Sequence, residues 1–151
     1  MKHKTQDTTQ QITDSRGTAS FVAERENLAV IRRFVEEMSQ DLGADQAATD
    51  DMIQAVDEAV TNIIVHGYAG RSGMIEIQVK RDRDSLVVCL RDQAPRFDPT
   101  TLPPPDLISP LEKRRLGGLG VYLIRQFVDQ VHYRAMPQGG NELTLVKRAF
   151  F

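Results

Sequence analysis

The stretch Asp57–Tyr68, DEAVTNIIVHGY, decides the fold of this 151-residue chain. Glu58, Asn62 and His66 lie four positions apart, so a helix would stack them in one polar row with neighbouring Cβ atoms about 5–6 Å apart. A carboxylate and a carboxamide in one row can place a proton acceptor beside a hydrated hard cation. A half-exposed helix with incidental polar residues would give the same pattern. The apolar residues before and within the stretch recur at helical spacing: Met52, Ile53, Val56, Ala59, Val60, Ile63 and Ile64.

The elements on both sides of this helix predict an α/β domain. Gly43 should end the preceding helix, and Asp45 should cap the helix that carries the stretch. The order of the predicted elements indicates an α/β two-layer sandwich, with helices on one face of a mixed, mostly antiparallel sheet. Its elements are an edge strand at 18–23, helices at 24–42 and 46–66, strands at 75–79 and 86–90, a helix after 120, and a hairpin at 131–135 and 142–148.

The polar N-terminus and the prolines indicate how the chain is divided. Residues 1–17 are expected to be a disordered tail, and residues 18–151 a single domain. Six of the seven prolines fall within residues 93–117, where proline is incompatible with strands and helix interiors. A loop this long in a small domain is usually functional. We call residues 93–117 the lid segment.

Composition excludes several classes of function. The formal net charge of −2 argues against nucleic acid or an anionic membrane as the main partner. Cys89 is the one cysteine, so neither an intramolecular disulfide nor a cysteine zinc cluster is expected. No apolar run approaches the roughly 18 residues of a membrane span, and the N-terminus has no apolar stretch of signal-peptide length. We therefore expect a cytoplasmic protein.

Two further features stand apart from the helix. The run Gly117–Gly120 precedes a helix, where glycines let phosphate approach free backbone amides; a flexible hinge is the alternative. It is not a Walker A loop, because no Lys-Ser/Thr follows, and it is not a dinucleotide fingerprint, because Leu123 holds the third glycine position. Asp92 ends a buried strand and can accept a hydrogen bond from an exocyclic amine, worth about 1.5–3 kcal/mol. An ordinary turn aspartate is the alternative there.

Taken together, these pieces resemble the N, G1 and G2 boxes of the GHKL ATPases, in the segments 58–68, 92–99 and 117–125. The closest likeness is to the anti-sigma-factor serine kinases of the RsbW type, over roughly residues 18–147. The resemblance implies a Bergerat-type ATP-binding fold with Mg²⁺ and ATP as cofactors. It implies that Asn62 coordinates Mg²⁺, that Glu58 acts as the general base or orients the nucleophile, and that Asp92 binds the adenine amino group. Further cofactor-binding residues implied by the resemblance are Gly118, Leu119, Gly120 and Thr144.

The resemblance also implies partners. It predicts a homodimer that phosphorylates a serine of an anti-anti-sigma (STAS) protein and, in an alternative state, sequesters a sigma factor. A non-catalytic, nucleotide-responsive module that acts by partner sequestration is the alternative. A detached histidine-kinase catalytic domain working in trans is a third reading.

One motif departs from the family pattern. In the G1 box, Ala94 and Arg96 hold the places of two glycines. Alanine does not readily adopt positive φ, so we expect the turn from strand to lid segment to differ from the family's. This departure is what motivates the non-catalytic alternative.

Overall fold

Alternating apolar residues along the strands build one face of a sheet on which the helices pack. The computed structural model describes residues 10–12, 17–101 and 119–151. Its strands are β1 (Gln10–Ile12), β2 (Thr18–Val22), β3 (Met74–Asp82), β4 (Ser85–Asp92), β5 (Gln130–Ala135) and β6 (Asn141–Arg148). Its α-helices are α1 (Leu28–Asp41), α2 (Gln46–Asn62) and α3 (Leu119–Phe127).

The six strands form one sheet in the order β1-β2-β3-β4-β6-β5. Every strand pair within the described ranges is antiparallel, so the predicted two-layer α/β sandwich is confirmed and its sheet is antiparallel there rather than mixed. Short turns join β3 to β4 and β5 to β6, whereas α1 and α2 separate β2 from β3. Strand β6 lies between β4 and β5. The last residues of β4 therefore lie beside the first residues of β6.

The first strand corrects two expectations. Gln10–Ile12 pair with β2, so β2 is not an edge strand and the disordered-tail prediction is wrong for these three residues. The physical reason is that an open strand edge presents unpaired N–H and C=O groups, which even a polar segment can satisfy. The rest of the predicted tail, residues 1–9 and 13–16, lies outside the described residues.

The inner face of the sheet, the one that packs against the helices, carries the core. On β4 the buried side chains of Leu86, Val88 and Leu90 point inward, and the two-residue period of a strand puts Asp92 on the same face. Helix α2 contacts α1, α3 and the central strands. It therefore packs on the face of the sheet to which Asp92 belongs.

The predicted C-terminal end of α1 and the predicted N-terminal end of α2 are confirmed. Gly43 follows α1 with φ +89°, the left-handed conformation that favours glycine. The Asp45 side chain accepts a hydrogen bond from the Ala48 amide at 3.2 Å, which caps α2. Across the ranges described, no helix combines the length and the apolar character that a membrane span requires.

Candidate functional site

The polar row of α2 is shorter than predicted. Glu58 and Asn62 share the last turn of the α-helix and are half-buried. From Ile63 to Tyr68 the chain continues as a π-helix, in which hydrogen bonds run from i to i+5. The wider turn breaks the four-residue stacking, so His66 leaves the row and is exposed. The prediction of one continuous α-helix to His66 is therefore wrong in its last turn, at a kind of feature that is frequent at functional sites.

Glu58 has the electrostatic character of a proton acceptor. Partial burial raises the pKa of its carboxyl, and the neighbouring Asp57 carboxylate raises that pKa further. Asp57 itself is paired with Arg32 of α1 at 2.7 Å. The Thr61 hydroxyl donates to the Asp57 carbonyl oxygen at 2.8 Å. Glu58 is thus the carboxylate of this turn whose proton affinity is increased, which suits a general base near neutral pH.

Asp92 is buried, with a relative exposure of 5%, and only one of its oxygens is held. Oδ1 accepts hydrogen bonds from the Ala94 amide and from Asn141 Nδ2, each at 2.9 Å. Burial raises the pKa of the carboxyl, and these two hydrogen bonds oppose that rise. No donor from the described part of the chain reaches Oδ2. The second oxygen is therefore the one left for an amine of a ligand.

The turn after Asp92 differs from a glycine turn, as expected, and does so without backbone strain. Within the described ranges, the non-glycine residues with positive φ are Ala69 and Arg83, so Ala94 and Arg96 both have ordinary backbone conformations. The Arg96 guanidinium anchors the turn, because Nη2 donates to the Met136 carbonyl oxygen at 2.6 Å. Alanine at position 94 therefore presents no steric obstacle to the turn.

The end of the helical stretch meets this turn directly. The Tyr68 hydroxyl accepts a hydrogen bond from the Gln93 amide at 2.8 Å and donates to the Met74 carbonyl oxygen at 2.7 Å. A methyl group on Gly67 would lie 3.2 Å from the Ala94 Cβ, which is a close approach of two backbones. The structure thus brings the first two predicted motifs together, and the Tyr68 hydroxyl ties the end of the π-helix to the turn after Asp92.

The third motif is described only in part. Leu119 and Gly120 already belong to α3, so the predicted helix is confirmed, but its described part includes the last two residues of the glycine run and does not begin after residue 120. Gly118 and residues 102–117 of the lid segment lie outside the described residues. Helix α3 packs on α2, which places its N-terminal residues in the same layer as Glu58 and Asn62.

The structure does not bring Thr144 to Asp92. Thr144 pairs with Cys89 in the β4–β6 ladder, and its hydroxyl lies 3.2 Å from the Cys89 sulfur, on the outer face of the sheet. The prediction that Thr144 supports adenine recognition is therefore wrong, because Asp92 points to the inner face.

The residue that sequence reasoning missed is Asn141. It is the ladder partner of Asp92, and the two side chains are hydrogen-bonded. A signal was present: Leu143 and Leu145 are apolar at a spacing of two, which puts Asn141 on the inner face.

A metal ion fits this site only with help from a ligand. No cluster of three His, Cys, Asp or Glu side chains in the described ranges is placed to hold a metal. Mg²⁺ keeps several waters and is usually bound through one or two protein oxygens together with substrate phosphates. The Asn62 carboxamide at the end of α2 suits that arrangement.

A two-layer sandwich with a buried strand-end carboxylate beneath a polar helix end is the architecture of an ATP-binding domain of the histidine-kinase and gyrase class. Residues 21–147 match the histidine kinase-like ATPase domain family, and the chain belongs to that family.

Relatives within the family are bacterial regulators. An anti-sigma F factor of Clostridium beijerinckii is 25% identical over 138 residues, which cover 91% of this chain and 96% of that protein. The serine-protein kinases RsbW of Bacillus mycoides and Bacillus cereus are each 32% identical over 113 residues, covering 72% of this chain and 71% of the relative. The chain is thus of the RsbW type.

A solved structure agrees with the fold. The crystal structure of the RsbU and RsbW domains of a Mycobacterium tuberculosis protein superposes with a TM-score of 0.57 at 20% identity. The match covers 86% of this chain and 32% of that chain, so the structural likeness is limited to one part of the larger protein.

Proposed function

We propose that this chain is a Mg·ATP-dependent serine kinase that phosphorylates an anti-anti-sigma protein of the STAS type and, in its alternative state, sequesters a sigma factor. The observation that carries the proposal is the C-terminal end of α2, where Glu58 has a raised pKa and Asn62 lies four residues further along the same helix. The names of the RsbW and anti-sigma F relatives support the substrate class.

Each proposed site residue has its own role in binding the nucleotide. Asp92 accepts a hydrogen bond from the adenine amine through Oδ2, and the amides of Gly118, Leu119 and Gly120 contact phosphate oxygens. Asn62 would hold Mg²⁺, and the ion would supply positive charge beside the phosphates.

Glu58 moves the proton of the transfer step. The serine oxygen forms a bond to the γ-phosphorus as the bond from that phosphorus to the β–γ bridging oxygen breaks, and ADP leaves with the electron pair. The serine proton passes to the Glu58 carboxylate. A raised pKa makes the carboxylate a better acceptor for that proton.

The non-catalytic alternative rests on the altered G1 box. The ordinary backbone conformations of Ala94 and Arg96 remove the steric reason for doubting nucleotide binding at this turn. The homodimer and the cytoplasmic location remain predictions from the resemblance and from composition.

The test combines the purified chain, labelled Mg·ATP and a STAS protein encoded beside it. The proposal predicts an acid-stable phosphoserine on the partner. An acid-labile phosphate would instead identify a histidine-kinase domain working in trans. Nucleotide binding without transfer to any partner would favour the sequestration module.

A further inference from the structure

The Asn141 side chain joins five backbone or side-chain groups around the start of the lid segment. Its Nδ2 donates to Asp92 Oδ1 at 2.9 Å, and it lies 3.2 Å from each of the carbonyl oxygens of Ala94 and Pro95. Its Oδ1 accepts from the Phe97 amide at 2.9 Å. The Tyr133 hydroxyl donates to the same oxygen at 2.5 Å. A single carboxamide therefore links Asp92, the turn and β5.

This side chain is buried, with a relative exposure of 8%, so its hydrogen bonds form away from bulk water. Buried polar groups in native proteins are paired, and an unpaired one costs about 1–3 kcal/mol. Here each end of the carboxamide has partners. The turn that lacks the family's glycines is thus held by a side chain from the neighbouring strand.

The same contacts fix the direction of the Asp92 carboxylate. Two donors reach Oδ1, one from the turn and one from Asn141, and they restrain rotation of the carboxylate about its own axis. Removal of Asn141 would leave the Ala94 amide as the one described donor to Asp92. The carboxylate would then be free to exchange its two oxygens between the turn and the pocket.

We propose that Asn141 is a positioning residue of the nucleotide site, which holds Asp92 and the start of the lid segment as one unit and directs Asp92 Oδ2 at the amino group of adenine. The inference rests on the proposed function, since it concerns the same pocket. Its consequence is base selectivity. Inosine triphosphate carries a carbonyl oxygen where ATP carries the amine, so a fixed carboxylate discriminates between the two nucleotides by a lost hydrogen bond and a repulsive contact.

The test measures the affinities of Mg·ATP and Mg·inosine triphosphate for three proteins by calorimetry. The wild type should prefer ATP by at least about tenfold. Asn141→Ala should weaken ATP binding far more than binding of inosine triphosphate, so the preference falls towards one. Thr144→Val is the matched control, because it changes a polar residue of the same strand on the outer face, and it should keep the wild-type preference.

A second variant separates positioning from folding. Asn141→Asp has nearly the same shape and keeps an acceptor for Phe97 and Tyr133, but it cannot donate to Asp92 at a pH at which both carboxyls are ionised, which is where the comparison is made. It should lose the ATP preference while the Phe97 amide keeps its protection from hydrogen exchange in the nucleotide-free protein. Asn141→Ala should lose both.

Each outcome decides the matter. Equal weakening of both nucleotides in the Asn141 variants, or an unchanged preference, overturns the positioning role and leaves the proposed function standing. A wild type that binds neither nucleotide overturns the proposed function and this inference with it.

Discussion

Gly140 lies directly against the backbone of Asp92, so closely that a methyl group at position 140 would overlap the Asp92 carbonyl oxygen. The neighbouring Gly139 also has positive φ, +103° against +88° for Gly140. Apart from its two chain neighbours, the nearest described atom to a methyl group there would be Gln93 Oε1, at 3.9 Å. The two glycines thus differ in crowding more than in backbone conformation.

That difference predicts unequal effects of two adjacent substitutions. Gly139→Ala should cost about 1–2 kcal/mol in free energy of unfolding, from the left-handed conformation alone. Gly140→Ala should cost about 1–3 kcal/mol more, because overpacking adds to the conformational term. Urea denaturation of both variants measures the difference, and equal losses would show that the close approach to Asp92 is absent.

Asp92→Asn should raise the free energy of unfolding at pH 7 and weaken nucleotide binding. The raised pKa of Asp92 means that the folded state disfavours the charged carboxylate. The stability that the protonated form contributes is fully present below about pH 3.8, the ordinary pKa. It is lost as the pH rises through the folded-state pKa. Asparagine does not titrate and can still accept both hydrogen bonds that Oδ1 accepts. The variant should therefore be more stable than the wild type at pH 7, by about 0.5–2 kcal/mol.

The same variant should bind ATP about ten- to a hundredfold more weakly. Its Oδ1 already accepts two hydrogen bonds, and the Nδ2 group that replaces Asp92 Oδ2 is a donor, which cannot accept from the adenine amine. Thermal melts across pH 3–8 and calorimetry check the two effects. A variant that is less stable at every pH would contradict the burial argument.

Tyr68→Phe should lower the free energy of unfolding, because Tyr68 links the π-helix to the start of the lid segment. The change removes the acceptor of the Gln93 amide and the donor to the Met74 carbonyl oxygen. Leaving such buried groups unpaired costs about 1–3 kcal/mol. Tyr122→Phe, on the exposed side of α3, is the matched control and should change the free energy of unfolding by less than about 0.5 kcal/mol. Similar losses in both variants would mean that the Tyr68 hydroxyl has no structural role.

Gly67 and Ala94 should show energetic coupling. A methyl group at position 67 would lie 3.2 Å from the Ala94 Cβ, so Gly67→Ala should destabilise the protein by about 1–3 kcal/mol through overpacking. Ala94→Gly in the same chain should restore part of that loss, because it opens the space that the new methyl group needs. A double-mutant cycle measures the coupling, and purely additive effects would place the two residues apart.

The elements that depend on local signals were predictable from the sequence. Gly43 and Asp45 act on the helix ends next to them, and the period of two in β3 is visible in its own residues. The pairing of Gln10–Ile12 with β2 was not, since it depends on an edge left open by the rest of the sheet. The π-helix was also missed, because Tyr68 is held by hydrogen bonds to Met74 of β3 and to Gln93, the residue after β4.

In the candidate site, Thr144 and Asn141 show where sequence reasoning stopped. Thr144 was chosen by its likeness to a family threonine. The two-residue period of β6 puts Thr144 and Asn141 on opposite faces of the sheet, so Thr144 does not face the same side as Asp92. The register Asp92↔Asn141 belongs to the ladder between β4 and β6, two strands that no turn joins directly. Residues that are brought together by strand pairing require the three-dimensional sheet.

The most direct test of the central claim is a single-turnover measurement of phosphoryl transfer from Mg·ATP to the STAS partner, with wild type, Glu58→Gln and Asp50→Asn. Asp50 is an exposed carboxylate two turns earlier on α2 and serves as the control. A general base at position 58 predicts a rate about 10²- to 10⁴-fold lower for Glu58→Gln, with unchanged ATP affinity and a wild-type rate for Asp50→Asn. Transfer by Glu58→Gln at the wild-type rate would contradict the account.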